Sequence, residues 1–362
     1  MARPDLTVRG AGIFGLSIAW AAARRGACVR VIDPVGIGAG ASGGVVGALA
    51  PHVPEQWNEK KAFQLDSLLM AEGWWAGVEA ASGLMPGYGR TGRLQPLADA
   101  RAVEVARARG AEAAGLWQGR AVWEVIAAGG VWTPPSASGW MVRDTLSARV
   151  QPCMALAALA AAIRAKGGEV VIGAAAEVGP VIWAAGVAGL EALSVDMGRA
   201  IGGAVKGQAL VLALEARDRP QVFVDGVHIV PHADGTVAIG STSERLWDDP
   251  QATDGQLDAL HARAVAACPW LGHAAVIGRW AGLRPRAASR APMLGAWPGR
   301  DGQFIANGGF KIGFGMAPKV AEVMVDLVLE GRDAIPGPFR VAASFQDRLL
   351  AGGSLGGSPV AR

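Results

Sequence analysis

A short apolar strand, Leu6-Thr-Val-Arg9, runs into Gly10-Ala-Gly12-Ile13-Phe14-Gly15, and the stretch from Leu16 to Arg25 reads as a helix stopped by Gly26. Few folds place three glycines at that spacing between a strand and a helix. One glycine gives the tight turn, one lets the backbone reach a pyrophosphate, and one lets the helix pack closely on the strand, with the phosphates at the positive helix end. Cys28-Val-Arg-Val-Ile32 is a second strand ending at Asp33, 23 residues after Gly10, where a carboxylate can accept ribose hydroxyls. The opening therefore predicts a dinucleotide-binding βαβ unit within a doubly wound α/β domain.

NAD and FAD proteins share that unit, so the next segment discriminates. Gly36 to Pro51, containing Ala41, Ser42 and Gly47, is a run of small residues in place of a plain third βα unit. Either something bulky lies against this backbone or the run is a flexible linker; Val45, Val46 and Leu49 favour the first reading. Glycine is 52 of 362 residues, about twice the usual 7%, in keeping with close backbone approach.

The length exceeds what one core usually organises, which predicts two domains, and 51% apolar with 18% charged residues excludes extensive disorder. The longest apolar runs, Met154 to Ile163 and Val181 to Leu190, fall short of the ~20 residues a bilayer needs or are too rich in Ala and Gly, so no membrane span is predicted. Met1-Ala-Arg-Pro-Asp5 lacks a leader pattern, and Cys28, Cys153 and Cys268 are widely spaced, so a cytoplasmic protein with reduced thiols is expected. With 34 basic against 31 acidic residues and scattered arginines, the chain has no nucleic-acid footprint, and five dispersed histidines suggest no metal site. A small-molecule partner is expected instead of DNA.

Further on, Pro152 to Lys166 reads as a helix and Glu169 to Ile172 as a strand. Val181 to Gly186 is a strand entering a small-residue turn that holds Ala185. Ala209–Leu214, Val222–Val224, Val227–Val230 and Val237–Ile239 alternate as strands, with Asp225-Gly226 and Asp234-Gly235 as turns, which predicts an antiparallel sheet. Thr253-Asp-Gly-Gln256 reads as a capping box, and Leu257, Leu260, His261, Ala264, Val265 and Cys268 form a stripe that would cover one sheet face. Residues 86–144, rich in Trp, are expected to join that sheet. Phe304 to Gly315 then leads a glycine-rich loop into a helix running to Leu329, with Pro318 expected in its first turn. Backbone N–H groups at such a helix start can stabilise negative charge.

The small-residue run, the Val181–Gly186 strand, Gly282-Leu-Arg-Pro285 and Gly308-Gly-Phe-Lys311 together resemble the FAD-dependent D-amino-acid oxidase superfamily, in particular its glycine oxidase and sarcosine oxidase members, over nearly the whole chain. That resemblance implies an FAD-binding Rossmann-like domain at residues 1–85, 145–203 and 277–362, interleaved with an antiparallel α+β substrate domain at 86–144 and 204–276. It implies cofactor contacts at Gly10, Gly12, Ile13, Phe14, Gly15, Asp33, Ala41, Ser42, Gly47, Ala185, Gly186, Gly309, Phe310, Lys311, Ile312 and Gly313. Arg284 matches the arginine that holds the substrate carboxylate in glycine oxidase, and Lys311 falls at its second basic position. His228 stands where glycine oxidase has a substrate-side tyrosine; it either reaches the substrate or is a satisfied sheet histidine. His52, just after the small-residue run, is either a site residue or a loop residue.

Departures limit the carry-over. Pro34 follows Asp33 where many relatives have Arg, and neither the attachment cysteine of sarcosine oxidase nor the attachment histidine of dimethylglycine dehydrogenase relatives has a counterpart, so a dissociable, non-covalent FAD is expected. The implied activity is oxidation of the C–N bond of a small amino acid or N-substituted glycine, with hydride passing to flavin N5 and the resulting imine hydrolysing, and with O2 or another acceptor taking the electrons. Two alternatives stay open. Gly44 to Trp75 also resembles the oxidoreductase half of the enzyme acting on carboxymethylaminomethyl-uridine in transfer RNA, and a flavin-binding subunit of a multi-subunit amine dehydrogenase would share the same motifs.

Overall fold

The computed structural model describes residues 3–345, so the last part of the range expected for the cofactor domain, residues 346–362, lies outside the described residues. The strands are β1 (Leu6–Arg9), β2 (Val29–Asp33), β3 (Ala48–Leu49), β4 (Arg93–Pro96), β5 (Trp123–Ala127), β6 (Trp140–Asp144), β7 (Ala148–Arg149), β8 (Glu169–Ile172), β9 (Val181–Trp183), β10 (Gly202–Leu212), β11 (Gln221–Val224), β12 (Val227–Pro231), β13 (Val237–Gly240), β14 (Val276–Ala287), β15 (Met293–Ala296) and β16 (Gln303–Asn307). The helices are α1 (Ile13–Arg24), α2 (Glu59–Ser82), α3 (Ala100–Leu116), α4 (Pro152–Ala165), α5 (Gly186–Asp196), α6 (Gly255–Ala267) and α7 (Gly313–Glu330).

Two sheets carry the architecture. A six-stranded sheet runs β15-β16-β9-β1-β2-β8, parallel except for β15. Its order departs in opposite directions from β1, and the crevice at such a switch point, outside the carboxyl ends of the strands, is where α/β sheets bind ligands. Helices α1, α4 and α7 pack around it, with Leu16, Ile18, Leu159, Ile163, Val320 and Met324 fully buried; each such side chain contributes about 1.5–3 kcal/mol. This is the expected Rossmann-like body.

The second sheet has eight strands, β14-β10-β13-β12-β11-β4-β6-β5, mostly antiparallel. Asp225-Gly226 makes the β11–β12 turn with both residues at positive φ, the conformation a tight two-residue hairpin needs. Residues 86–144 supply β4, β5 and β6, as the composition suggested. The boundary expected at residue 277 requires correction: it falls inside β14, whose length pairs with β10 from Gly202↔Ala287 to Leu212↔Val276. Through Ala287 the chain belongs by hydrogen bonding to the eight-stranded sheet.

Three local expectations also change. Helix α6 is capped by Asp254, not Thr253: Asp254 accepts from the Gln256 N–H at 2.9 Å while the fully buried Gln208 side chain donates to its carboxylate and accepts from its N–H, both at 2.9 Å. The stripe below that cap holds, with Leu257, Leu260, Ala264 and Cys268 buried against Leu210, Leu212 and Ile229. Helix α7 begins at Gly313, so Pro318 lies inside it. Proline displaces one turn of intrahelical bonding, and the Lys319 N–H donates to Ser67 Oγ at 3.2 Å. Helices α2 and α3 were not foreseen; each starts at a side-chain cap, Asn58 and Asp99. Among the described residues no helix is long and apolar enough to cross a membrane, and no group of His, Cys, Asp or Glu is arranged for a metal.

Candidate active site

The crevice is built first from glycines. Gly10 sits at φ +106°, and a Cβ there would lie 2.5 Å from the Ala184 carbonyl oxygen; one at Gly15 would lie 1.9 Å from the Gly10 carbonyl oxygen. No side chain fits either position, so β1, the start of α1 and the end of β9 close on one another. The loop before α7 joins them, since a Cβ on Gly309 would strike the Phe14 ring at 2.9 Å and one on Gly313 would touch Ile13 at 3.4 Å. Residues far apart in the chain, Gly10, Gly12, Ile13, Phe14, Gly15, Ala185, Gly186, Gly309 and Gly313, thereby meet around one spot.

Three helices begin there without a cap from the residue that precedes them. The residues before α1, α5 and α7 are Gly12, Ala185 and Ile312, none of which gives a side-chain cap, and none of the three first turns holds an acid. Each helix start offers backbone donors and about half a positive charge to an anion. Ser42 Oγ, from the short 3-10 turn Ala41–Gly43, accepts from the Ile13 N–H at 3.0 Å. Asp33 is largely engaged: one carboxylate oxygen accepts from the Ala11 N–H at 2.8 Å and the other from the Val35 and Gly36 N–H groups at 3.0 Å. A carboxylate has about four acceptor sites, so one is left for a ribose hydroxyl. Converging uncapped helix starts and a glycine cradle fit a dinucleotide pyrophosphate and the flavin beyond it.

The eight-stranded sheet supplies side chains. Successive residues of a strand point to opposite faces. Arg279 of β14 reaches Asp258 of α6 at 2.7 Å, so the even positions Trp280, Gly282, Arg284 and Arg286 lie on the opposite face of the strand. On the paired β10, Val205 and Gly207 share that second face. It looks onto the small-residue loop: a Cβ on Gly44 would touch the Trp280 ring at 3.3 Å, and one on Gly240 would meet Val46 at 2.4 Å. Gly47, at φ +60°, turns that loop against the Val150 carbonyl.

Arg284 is 7% exposed, and its guanidinium lies flat on Gly207, where a Cβ would come within 1.8 Å of it. Its Nη1 donates to the Thr242 carbonyl at 3.1 Å. Burial pulls its pKa down to about 10, against the opposing pull of Glu244. Lys311 stands at the mouth, exposed, with its ammonium 5.8 Å from the Phe310 ring; crowding and the Arg284 charge hold it below the usual lysine range. His228 stacks on Phe223 at 4.6 Å, and its Nδ1 has no hydrogen-bond partner. Burial, then Arg93, then Lys311 press its pKa down to about 4. Lys311 is thus the common neighbour: it feels the Arg284 charge and in turn acts on His228.

His52 is turned away from it, bonded through both its backbone N–H and its ring to Gln64, which suits the loop reading. Several supporting residues escaped the sequence reading. His232, 1% exposed, donates from Nε2 to the Val45 carbonyl at 2.9 Å and so ties the sheet to the small-residue loop. Its even spacing from His228 along the strand direction was the available signal. Arg93 pairs with the fully buried Asp144 at 2.9 Å, and Lys206 lies 3.6 Å from both Glu244 and Asp254; these pairs join distant segments and carry no local pattern.

Fold and crevice together define a flavin- or nicotinamide-type nucleotide-binding oxidoreductase with an appended eight-stranded sheet. The family described as FAD dependent oxidoreductase matches residues 5–327, and the chain belongs to that family, whose cofactor is FAD. It is similar to glycine oxidase of Pseudomonas aeruginosa, 34% identical over 141 residues, a stretch that makes up 38% of each chain. The chain thus covers well under half the length of that relative. In fold it is similar to glycine oxidase from Geobacillus kaustophilus, with a TM-score of 0.79, 20% identity and coverage of 94% of this chain and 99% of that one. Iminodiacetate oxidase from Chelativorans sp. BNC1 gives a TM-score of 0.76 at 22% identity, covering 92% and 98%.

Proposed function

We propose that the protein oxidises the C–N bond of a small amino acid or N-substituted glycine with a non-covalently held FAD. The observation that carries this reading is the Arg284 guanidinium, buried at 7% exposure on the sheet face that meets the small-residue loop, with Thr242 as its hydrogen-bond acceptor. A guanidinium has five donors in a planar fork, and a buried fork with donors to spare calls for an anion such as a substrate carboxylate. Bound FAD would supply the two-electron acceptor.

The chain's residues would do the rest. Arg284 would grip the carboxylate through paired N–H bonds, with Lys311 as a point charge at the mouth, each charge-assisted bond contributing about 1.5–3 kcal/mol. The same two cations disfavour a neighbouring ammonium, so the substrate amine would bind neutral with its lone pair free. His228, neutral at pH 7 with its pKa near 4, would accept a hydrogen bond from that amine at Nδ1 and is too weak a base to do more. The sheet and the loop around Val46 would keep water from the reacting carbon. Dioxygen or another acceptor would then restore the cofactor, in a cytoplasmic setting that keeps the three cysteines as thiols.

The test is visible absorption of the FAD-loaded protein under anaerobic conditions during additions of glycine, sarcosine, proline, D-amino acids and larger N-carboxymethyl amines. Bleaching by one carboxylate-bearing class is expected, and bleaching by none of them would overturn the reading.

A further inference from the structure

Strand β13 ends at Gly240 opposite Ala209, and the chain then continues along β10 with one residue too many. Thr242 stands opposite Gln208 and Glu244 opposite Lys206, so Ser241 is the extra residue of a bulge. The Thr242 N–H donates to the Gln208 carbonyl at 3.1 Å, as an antiparallel pair requires. The return bond differs: the Gln208 N–H donates to Thr242 Oγ1 at 2.7 Å instead of to the Thr242 carbonyl. The hydroxyl therefore takes the place of its own residue's carbonyl, and that carbonyl is released to accept from Arg284 Nη1 at 3.1 Å. Glu244 fixes the exchange. Its Oε1 accepts from the Thr242 hydroxyl, so the hydroxyl proton is committed there and a lone pair is left for Gln208. The same Oε1 accepts from the Gln208 side-chain amide at 3.1 Å, and the buried Lys206 ammonium lies 3.6 Å from Oε2.

Arg284 comes from β14, on the other side of β10, and reaches Thr242 by crossing β10 at Gly207, where a Cβ would lie 1.8 Å from Nη1. Among the described residues its guanidinium makes no other hydrogen bond, which leaves the Nε–Nη2 edge, with two parallel donors, for a carboxylate. We infer that Thr242, with its hydroxyl held by Glu244, is a positioning residue that aims the Arg284 fork at the substrate carboxylate. The inference rests on the carboxylate-binding role proposed for Arg284 and names what orients it; Thr242 acts through Arg284 and not on the reacting atoms. Without the hydroxyl, the Gln208 N–H would reclaim the carbonyl of residue 242, since an unpaired ladder donor is costly, and Arg284 would lose its anchor.

A carboxylate that cannot be oxidised as an amine separates this role from the activity itself. Isothermal titration calorimetry of the FAD-loaded protein with propionate, and with propionamide as its uncharged counterpart, reads the fork directly. T242V should weaken propionate binding about tenfold, while T242S, which keeps the hydroxyl, should stay within about twofold of the parent. Propionamide affinity should be the same in all three. G207A gives a second route that does not touch the bulge: the atoms nearest its new Cβ all belong to the Arg284 guanidinium, the movable end of a long side chain. The variant should therefore fold, push Arg284 off its anchor and lose propionate to a similar extent. Equal propionate affinity in the parent, T242V and G207A, or an equal loss in T242V and T242S, would overturn the inference, and so would a loss confined to G207A. Propionate binding that depends on the Thr242 hydroxyl while no amine bleaches the flavin would instead sink amine oxidation and keep the positioning role.

Discussion

The crevice of the six-stranded sheet and the Arg284 face of the eight-stranded sheet offer different kinds of groups. Around the first, the groups on offer are backbone N–H donors at three uncapped helix starts, brought together because Gly10, Gly15 and Gly309 have no side chains. Across the second, they are long side chains, Arg284, Lys311 and His228, held by buried pairs such as Arg93–Asp144 and Lys206–Glu244. Recognition by backbone tolerates almost no change in the turn. Recognition by side chains tolerates change in the strand and is sensitive to charge.

That contrast can be broken most forcefully at Gly15. A valine there, with its Cβ 1.9 Å from the Gly10 carbonyl oxygen, should cost about 5 kcal/mol or more and abolish FAD retention, seen as a lost flavin band and a collapsed melting temperature; normal flavin content would show that the turn can yield. Arg93→Ala leaves the fully buried Asp144 carboxylate unpaired and should cost about 3–5 kcal/mol in urea unfolding, while folded protein still takes up FAD. Loss of FAD at equal stability would mean that the two regions are less separate than drawn.

Arg284→Ala should raise the amine concentration for half-reduction of the flavin by about 10- to 150-fold, the equivalent of about 1.5–3 kcal/mol, and Arg284→Lys should recover only part of it because the fork is gone. An unchanged dependence would remove Arg284 from the carboxylate site. The smallest effect concerns pH. His228 titrates near 4 in the folded chain against about 6.5 when unfolded, so between those values the unfolded chain binds more protons and stability falls as pH drops. Below about pH 4 that decline ends. His228→Asn should flatten the corresponding part of the melting-temperature profile between pH 6.5 and 4, and a profile that stays as steep would assign the slope to His232 or the carboxylates.

What the sequence disclosed follows the same divide. The Gly10–Gly15 turn, Asp33 and the Ala41-Ser42 run were readable because backbone recognition demands particular small residues at fixed spacing. Arg284 and Lys311 were singled out only through family resemblance, since nothing about an arginine in a strand says which face it takes until the β10–β14 register is known. The pairing of Arg93 with Asp144 and the reach of His232 to Val45 join segments 51 and 187 residues apart, and no local pattern encodes them. Helix α3 hid because its apolar positions are mostly alanines, with Val103, Ala106 and Ala113 as its buried face. Pro318 misplaced the start of α7 because proline favours a first turn, whereas in the fold it sits inside the helix and the next N–H, that of Lys319, donates to Ser67 Oγ.

Strand β14 divides two kinds of duty by parity. Odd-numbered Arg279 reaches Asp258 of α6, while on the other face Trp280 lies against the small-residue loop at Gly44 and Arg284 against Gly207. On the proposed reading, positions 280, 282, 284 and 286 would therefore be varied as one set to change the amine accepted, leaving the neighbours between them untouched. An insertion or deletion of one residue in the strand would do the opposite, exchanging the two sets and forfeiting both at once.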